Sequence, residues 1–204
     1  HDPMAIATPE AFARDPALVY RFYNARRRQL TAVEPNAAHR ALARLQAALG
    51  DSVLLVTQNV DNLHQRGGSA QVCHMHGELA SMLCQRCGRR QPAPTEFDAA
   101  TCCPACGQSG ALRPDIVWFG EMPYHLDSIE ARLATCELFI AVGTSGAVYP
   151  AAGFVQVARG AGATTVEVNQ EASEVAGYFH HHYSGCASKQ VGLLVDELLA
   201  GRVD

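Results

Sequence analysis

The residues best suited to chemistry in this sequence are the histidines and cysteines of one segment. His74 and His76 lie beside Cys73, and a Cys-x-x-Cys pair follows at Cys84 and Cys87. Thiolates and imidazoles are the usual protein ligands of Zn²⁺, and an imidazole that titrates near neutral pH also serves as a general base. The segment therefore predicts a metal site, a catalytic base, or both side by side.

A second cysteine pair, Cys103 and Cys106, begins after a gap of fifteen residues. Four thiolates satisfy Zn²⁺ tetrahedrally, and a closed shell of four cysteines leaves no coordination position for a substrate. Cys103 is preferred to the neighbouring Cys102 because it completes a C-P-x-C-G turn that matches the first pair. The pattern predicts a structural zinc ion with four ligands: Cys84, Cys87, Cys103 and Cys106. Neither histidine is then needed as a ligand.

The elements that must position these residues can be inferred from apolar patterns. Three short apolar runs are typical of strands buried on both faces: 52–56, 138–143 and 164–169. A helical stretch separates the last two runs, and Asp15 and Asn36 are suited to cap two earlier helices, which reach about Gln29 and Gly50. A further amphipathic helix is predicted over 191–199. Buried strands that alternate with helices predict an α/β fold with an open parallel sheet.

Residues 79–112 break this pattern, because they are rich in Cys, Pro and Gly and have no helical period. A small insert without a core of its own needs a staple such as zinc. We therefore predict two domains, a sheet domain formed by 1–78 and 113–204 and a small zinc-ribbon-like domain formed by 79–112.

The composition is that of a globular protein, with 48% hydrophobic and 18% charged residues among 204. The net charge of -4 argues against nucleic acid as a partner, although Arg86, Arg89 and Arg90 leave a zinc-ribbon nucleic-acid module as a minor alternative. No apolar run reaches the roughly 18 residues of a membrane-spanning helix, and no signal peptide opens the chain. A cytoplasmic location without membrane contact is expected, where free thiols stay reduced.

Polar residues follow each of the three predicted strands. They are 58–61 after the first, 143–145 after the second and 169–171 after the third. In open α/β sheets, ligands bind outside the carboxyl ends of the strands. These residues could therefore hold a phosphate or a ribose, or they could be ordinary turn and cap residues.

Several segments of the chain resemble the sirtuins, the NAD-dependent protein lysine deacylases. In order they are TQNVDNLH (57–64), HMHGEL (74–79), the two cysteine pairs, LRPDIVWFGE (112–121), VGTSGAVYPAAGF (142–154) and VEVNQE (166–171). The chain is most similar to bacterial members related to the desuccinylase and demalonylase branch.

The resemblance implies a Rossmann-like parallel sheet with helices on both faces that binds NAD, a small inserted domain with structural zinc, and acylated-lysine proteins as substrates. It also implies that His76 is the general base, that the acyl group is transferred to ADP-ribose and that nicotinamide is released. The positions that match the family's cofactor contacts are Gln58, Asn59, Val60, Asp61, Gly143, Thr144, Ser145, Asn169, Gln170, Glu171 and Ala187. His74 is expected to support or pack beside His76.

The resemblance also assigns a substrate-binding segment, whose backbone pairs with an extended peptide by β-augmentation. It comprises Val117, Trp118, Phe119, Gly120 and Glu121. Core packing is the alternative explanation for the first three side chains.

Tyr23 and Arg26 lie at i and i+3 on one helix face. In desuccinylase-like sirtuins, a Tyr-x-x-Arg pair at this place holds the distal carboxylate of a succinyl or malonyl group, because a guanidinium forks onto a carboxylate and a phenol adds a third hydrogen bond. The alternative is a solvated basic helix face, which is the role expected for Arg27 and Arg28.

The family's glycine-rich GAGxS loop has no counterpart here, since no G-x-G turn occurs before residue 50. Such a loop supplies the amides that cradle a pyrophosphate. The chain is therefore expected to be a fragment of a longer protein, or a variant that binds NAD weakly or through a partner. A non-catalytic module that binds acyl-lysine peptide or ADP-ribose is the alternative function.

Overall fold

The computed structural model describes residues 3–202. Its helices are Pro3–Ile6 (α1), Pro9–Arg14 (α2), Pro16–Leu30 (α3), Ala37–Leu49 (α4), Leu63–Arg66 (α5), Leu126–Leu133 (α6), Phe154–Gly160 (α7) and Ala187–Leu199 (α8). Its strands are Val56–Thr57 (β1), Cys73–His74 (β2), Gly77–Cys84 (β3), Arg90–Pro92 (β4), Leu112–Ile116 (β5), Leu138–Val142 (β6), Thr164–Asn169 (β7) and His181–Ser184 (β8). Short 3-10 turns lie at Gly50–Ser52, Ala151–Gly153 and Ala176–Tyr178.

The two predicted helix caps are confirmed. The Asp15 carboxylate accepts the backbone N–H of Leu18 at 2.9 Å, and Pro16 occupies the first position of α3. The Asn36 side chain accepts two amides of the first turn of α4, and His39 Nδ1 accepts the Asn36 N–H at 3.2 Å. These bonds satisfy amide donors that the first turn of a helix leaves without intrahelical partners.

The chain forms two compact units. The first comprises 1–34, 56–62 and 73–124, and the second comprises 35–55, 63–72 and 125–204. The cysteine-rich insert belongs to the first unit, together with α3 and the loop that follows β1. The boundaries predicted for a separate zinc-binding domain, 79–112, stay a prediction.

The first unit is built around β3, which pairs antiparallel with both β4 and β5. Helices α2 and α3 bury an apolar and aromatic cluster against it, with the members Ile6, Ala11, Val19, Tyr23, Leu79, Ile116 and Trp118. A second cluster connects α3 to the insert through Tyr20, Met82, Cys84, Phe97, Cys103 and Leu112. One strand therefore carries both the zinc-ligand end of the insert and the segment next to His76.

The second unit contains the parallel sheet β6-β7-β8. Helices α4 and α8 cover one face through Leu45, Val166, Val168, Leu194 and Val195. Helix α7 and the turn at Ala176–Tyr178 lie on the other side, where Val155, Val175 and Phe179 pack on Ala141. The predicted parallel sheet with helices on both faces is confirmed, and two of its three predicted strands appear at 138–142 and 164–169.

The prediction of a strand over 52–56 was wrong in its bounds. Gly50–Ser52 forms a 3-10 turn, and the strand is only Val56–Thr57, which pairs parallel with Cys73–His74. An apolar run predicts burial, but a strand also requires a neighbour that completes its hydrogen bonds. Among the described residues no strand pairs with 53–55. Within the same described part of the chain, no helix has the length and apolar character needed to cross a bilayer.

Candidate active site

Four cysteine sulfurs gather at the end of the insert. The Sγ atoms of Cys84, Cys87, Cys103 and Cys106 all lie within 4.8 Å of one another. Cys84 ends β3, and Cys103 lies in the second turn, where its sulfur accepts a hydrogen bond from Gln91 at 3.2 Å. Four thiols in this arrangement match the donor set of a closed, structural Zn²⁺ site. Cys103 belongs to this cluster, whereas Cys102 lies outside it.

His76 connects β2 to β3 and is half-buried. Its Nδ1 lies 3.0 Å from the carbonyl oxygen of Gln58, and its own carbonyl accepts the N–H of Val117 at 2.9 Å. A carbonyl can only accept, so Nδ1 carries the hydrogen and Nε2 keeps its lone pair. Burial lowers the pKa of His76, and the bond to Gln58 opposes this only in part. The side chain is therefore a neutral imidazole with one basic nitrogen.

Gly77 fixes the backbone directly after His76. Its φ is +80°, a conformation that favours glycine, and a Cβ there would overlap the carbonyl oxygen of Asp115 on β5. His74 is buried in β2, with Nε2 3.9 Å from the carboxylate of Glu78. The neighbourhood is therefore tightly packed on the β5 side of His76.

The loop after β1 lines a cavity of about 340 Å³ in the first unit. Its lining residues are Arg26, Gln29, Leu30, Val33, Gln58, Asn59, Val60, Asp61 and Leu79. The loop is anchored to β3, because Leu79 donates its N–H to the Val60 carbonyl at 2.7 Å. The four predicted cofactor residues of this unit thus share one cavity with Arg26.

Of the predicted Tyr23 and Arg26 pair, only Arg26 lines this cavity. Arg26 is exposed, and its guanidinium lies 4.7 Å from the centre of the Phe22 ring. Tyr23 is 3% exposed, and burial raises its pKa. Its hydroxyl oxygen accepts the indole N–H of Trp118 at 3.0 Å.

The segment 117–121 divides into buried and exposed side chains. Trp118 is buried beneath the guanidinium of Arg113, which lies 3.5 Å from the indole ring centre and forms two bonds to the Glu121 carboxylate. Burial raises the pKa of Glu121, but the bonds from Arg113 and from the Trp118 amide outweigh it and keep the pKa below its usual value. Phe119 and Gly120 are exposed and Val117 is half-buried. The side chains of Trp118 and Glu121 therefore hold the segment in place, and its exposed part is Phe119 with Gly120.

The predicted cofactor residues of the second unit lie at the ends of β6 and β7. The Asn169 side chain donates to the Thr144 carbonyl at 2.7 Å, which brings 143–145 and 169–171 together. Gly143 has a φ of +62° and open space where a Cβ would be. Glu171 lines a second cavity, of about 370 Å³, and Ala187 begins α8.

The expectation that Arg27 is solvated was wrong. Arg27 is 5% exposed and donates from Nε to the Thr95 carbonyl at 3.1 Å, while its guanidinium covers the Phe97 ring. Burial lowers its pKa to about 10. Arg28 is exposed as expected and pairs with Glu96. Arg27 also donates to the Asn24 side chain one turn earlier in α3, but helix periodicity could not reveal Thr95 and Phe97, which lie in the insert far along the sequence.

Sequence reasoning also missed several polar residues. The Oδ1 atom of Asn62 is buried and has no hydrogen-bond partner in residues 3–202. The buried Asp115 carboxylate binds Ser81 and Tyr124. Glu167, in the middle of β7, is buried beside His182. A charged residue within an apolar run is a visible signal, and Glu167 in TTVEVN carried it.

The chain has a parallel α/β sheet with polar loops at the carboxyl ends of its strands, and an insert with four clustered thiols. These two features are typical of zinc-containing nucleotide-binding proteins. Within that class, the chain belongs to the Sir2 family, whose family description matches residues 1–150. The predicted membership of the sirtuin family is confirmed.

Relatives and solved structures agree with this assignment. The NAD-dependent protein deacylase of Escherichia coli is 52% identical over 198 residues, which are 96% of this chain and 71% of that protein. The NAD-dependent protein deacylase of Salmonella typhimurium is 50% identical over 198 residues, which are 96% of this chain and 72% of that protein. A Sir2 homologue in complex with NAD aligns with a TM-score of 0.88 and 32% identity, covering 98% of this chain and 79% of that one. A Sir2 protein bound to an acetylated peptide aligns with a TM-score of 0.78 and 25% identity, covering 97% and 84%.

Proposed function

We propose that this protein is an NAD-dependent protein lysine deacylase in which His76 is the general base. The observation that carries the proposal is the state of His76, whose Nδ1 hydrogen is held by the Gln58 carbonyl at 3.0 Å while burial lowers its pKa. A base of this kind is unprotonated at neutral pH and ready to accept a proton at Nε2. Family membership and relatives named NAD-dependent protein deacylase support the same reaction.

The residues present fit NAD. The buried Oδ1 of Asn62 has no partner among the described residues, and Gly143 leaves open space at the end of β6. Gln58, Asn59, Val60 and Asp61 are assigned to the nicotinamide end, and the residues after β6 and β7, with Ala187, to the phosphates and adenosine. When bound, NAD supplies the ADP-ribosyl group that takes the acyl group as nicotinamide leaves.

The acylated lysine is assigned to the first unit. The Phe119 N–H is bonded to the Ala7 carbonyl at 2.9 Å, so the Phe119 carbonyl and the Gly120 N–H are the groups that would pair with an extended substrate. Main-chain bonds of this kind give affinity with little sequence preference. Val117 is attached through its N–H to the carbonyl of His76. This bond fixes the position of the peptide-binding segment relative to His76.

Acidic acyl groups are the proposed preferred substrates. Arg26 is the cation that lines the cavity beside Gln58 and Asn59, and a guanidinium recognises the distal carboxylate of a succinyl or malonyl group in a bidentate manner. Tyr23 lies one helical turn away and is the proposed second donor, because its oxygen already accepts from Trp118 and its own hydrogen remains to be donated. Acetyl-lysine leaves Arg26 unused and is accepted with lower efficiency.

The test is turnover of succinyl-lysine and acetyl-lysine peptides, measured as nicotinamide release with and without NAD. His76→Ala should remove turnover of both peptides while ADP-ribose still binds in calorimetry. Arg26→Met should lower kcat/KM for the succinyl peptide by about tenfold to a hundredfold, the size of a lost charged hydrogen bond, and leave the acetyl peptide within about twofold. Arg21→Met, on the exposed side of the same helix, is the matched control.

Two results would contradict the proposal. Equal loss of both activities in Arg26→Met would remove the assigned acyl preference. Binding of ADP-ribose or acyl peptide without nicotinamide release by the unaltered protein would instead favour the non-catalytic binding module.

A further inference from the structure

A buried carboxylate lies beneath the loop that follows β7. The side chain of Glu167 is 3% exposed and lies beside His182, which is directly opposite it on β8. One carboxylate oxygen accepts the N–H of Ser173 at 3.2 Å, and the other lies 3.0 Å from His182 Nδ1. A charge this well buried is tolerated only when both oxygens have partners.

The Ser173 bond reaches into a loop with a proposed cofactor role. We call residues 169–174 the β7 loop. Its first residue, Asn169, donates to the Thr144 carbonyl, and its last, Glu174, donates its N–H to the Ser145 carbonyl at 2.9 Å. The β7 loop is thus bonded at both ends to the loop after β6, and in between to the Glu167 carboxylate through the Ser173 N–H.

His182 is held so that it can orient the carboxylate. Its ring packs edge-on against Phe179, with ring centres 6.1 Å apart. The carboxylate accepts from His182, so Nδ1 donates and one oxygen is fixed. The other oxygen then points to the Ser173 amide.

We propose that Glu167 and His182 are positioning residues for the cofactor, which hold the β7 loop in the conformation that binds the adenosine end of NAD. Both side chains line the same cavity as Asn169 and Glu171, and neither takes part in proton transfer. The inference rests on the proposed cofactor role of Asn169, Gln170 and Glu171.

The experiment compares His182→Phe with His182→Asn. Phenylalanine keeps the ring contact with Phe179 but removes the donor, whereas the asparagine Nδ2 stands where the imidazole Nδ1 did. His182→Phe should raise KM for NAD and the Kd for ADP-ribose by about tenfold, the effect of one lost charged hydrogen bond at a half-exposed site. The value of kcat at saturating NAD should change by less than about twofold, since the base is untouched. His182→Asn should restore most of the affinity.

His181→Phe is the matched control, because residue 181 is the exposed neighbour on the same strand. It should leave KM, kcat and Kd unchanged. Glu167→Gln adds a second test, because it keeps an acceptor for the Ser173 amide and loses the charge. Hydrogen exchange measured on the peptide containing 169–174 should accelerate in His182→Phe while α8 stays protected.

Three outcomes would overturn the inference: an unchanged KM for NAD in His182→Phe, a fall in kcat as large as the fall in kcat/KM, or faster exchange throughout the second unit. Asn169→Ala separates this inference from the proposed function. If Asn169→Ala raises KM for NAD and His182→Phe does not, only the positioning role is lost. If neither substitution affects NAD binding, the assignment of the β7 loop to the cofactor is itself wrong.

Discussion

Replacing Gly77 with alanine tests the packing that fixes His76. The added Cβ would overlap the carbonyl oxygen of Asp115, and it would lie 2.9 Å from the carbonyl carbon of Asp115 and 3.1 Å from the Cα of Ile116. All three atoms belong to the backbone of β5, so no side-chain rotation relieves the contact. The two strands must separate, or Gly77 must leave its φ of +80°.

The magnitude has two parts. A non-glycine residue at positive φ costs about 1–2 kcal/mol, and forcing a methyl group into packed structure costs about 1–3 kcal/mol. The expected loss is therefore about 2–5 kcal/mol in the free energy of unfolding, a large share of the stability of an ordinary domain. In thermal denaturation this corresponds to a melting temperature lower by on the order of 10 °C.

Gly120→Ala separates the two parts. Gly120 has a φ of +89° but open space where the Cβ would be, so only the conformational cost applies. Urea and thermal denaturation of both variants should show a loss at Gly77 at least about twice that at Gly120. Equal losses would refute the close approach between Gly77 and β5.

Three further predictions concern His76, the thiol cluster and α3. Because burial lowers the pKa of His76, the imidazole stays unprotonated to a lower pH. The value of kcat/KM should therefore fall on the acid side with a midpoint below 6.5, the ordinary pKa of histidine. A midpoint above 6.5 would contradict this. Cys84→Ser should abolish stoichiometric zinc binding and lower thermal stability, whereas Cys102→Ser should do neither, as measured by metal analysis and calorimetry. Arg27→Met should cost about 1–3 kcal/mol in denaturant unfolding, because it removes the bonds to the Thr95 and Leu79 carbonyls and leaves the buried Leu79 carbonyl unpaired. Arg28→Met should cost under about 1 kcal/mol, and similar losses would show that Arg27 is not buried.

Much of the fold follows from local sequence. Asp15 and Asn36 cap helices where their side chains predict it, because a cap depends on amides only two or three residues away. The thiol cluster was also predictable, since two tight Cys-x-x-Cys turns present their sulfurs in pairs. Local patterns of this kind need no knowledge of the rest of the chain.

The misses share a physical cause, which is contact between distant segments. Arg27 reads as one of several surface arginines until the carbonyl of Thr95 reaches it from the insert. Tyr23 was expected beside Arg26 on one face of α3, but it is buried and its hydroxyl accepts from Trp118, 95 residues away in sequence. The apolar run at 52–56 predicts burial, but Val53 is only partly buried and Leu54 is exposed, and pairing begins only at Val56 because pairing depends on a partner strand.

Strand β3 connects the four-thiol cluster to His76, the proposed base. Eight residues connect Gly77, next to His76, to Cys84 in the thiol cluster. The seven steps from Gly77 to Cys84 span about 23 Å at roughly 3.3 Å per residue, too far for a bound metal ion to act on the imidazole by its charge. An electrophile that stripped zinc from the sulfurs would nevertheless loosen the far end of the strand that supports the base. Activity would then be lost at the same rate as zinc is released, and His76 would remain chemically unmodified. The zinc content of a preparation would then report its active fraction.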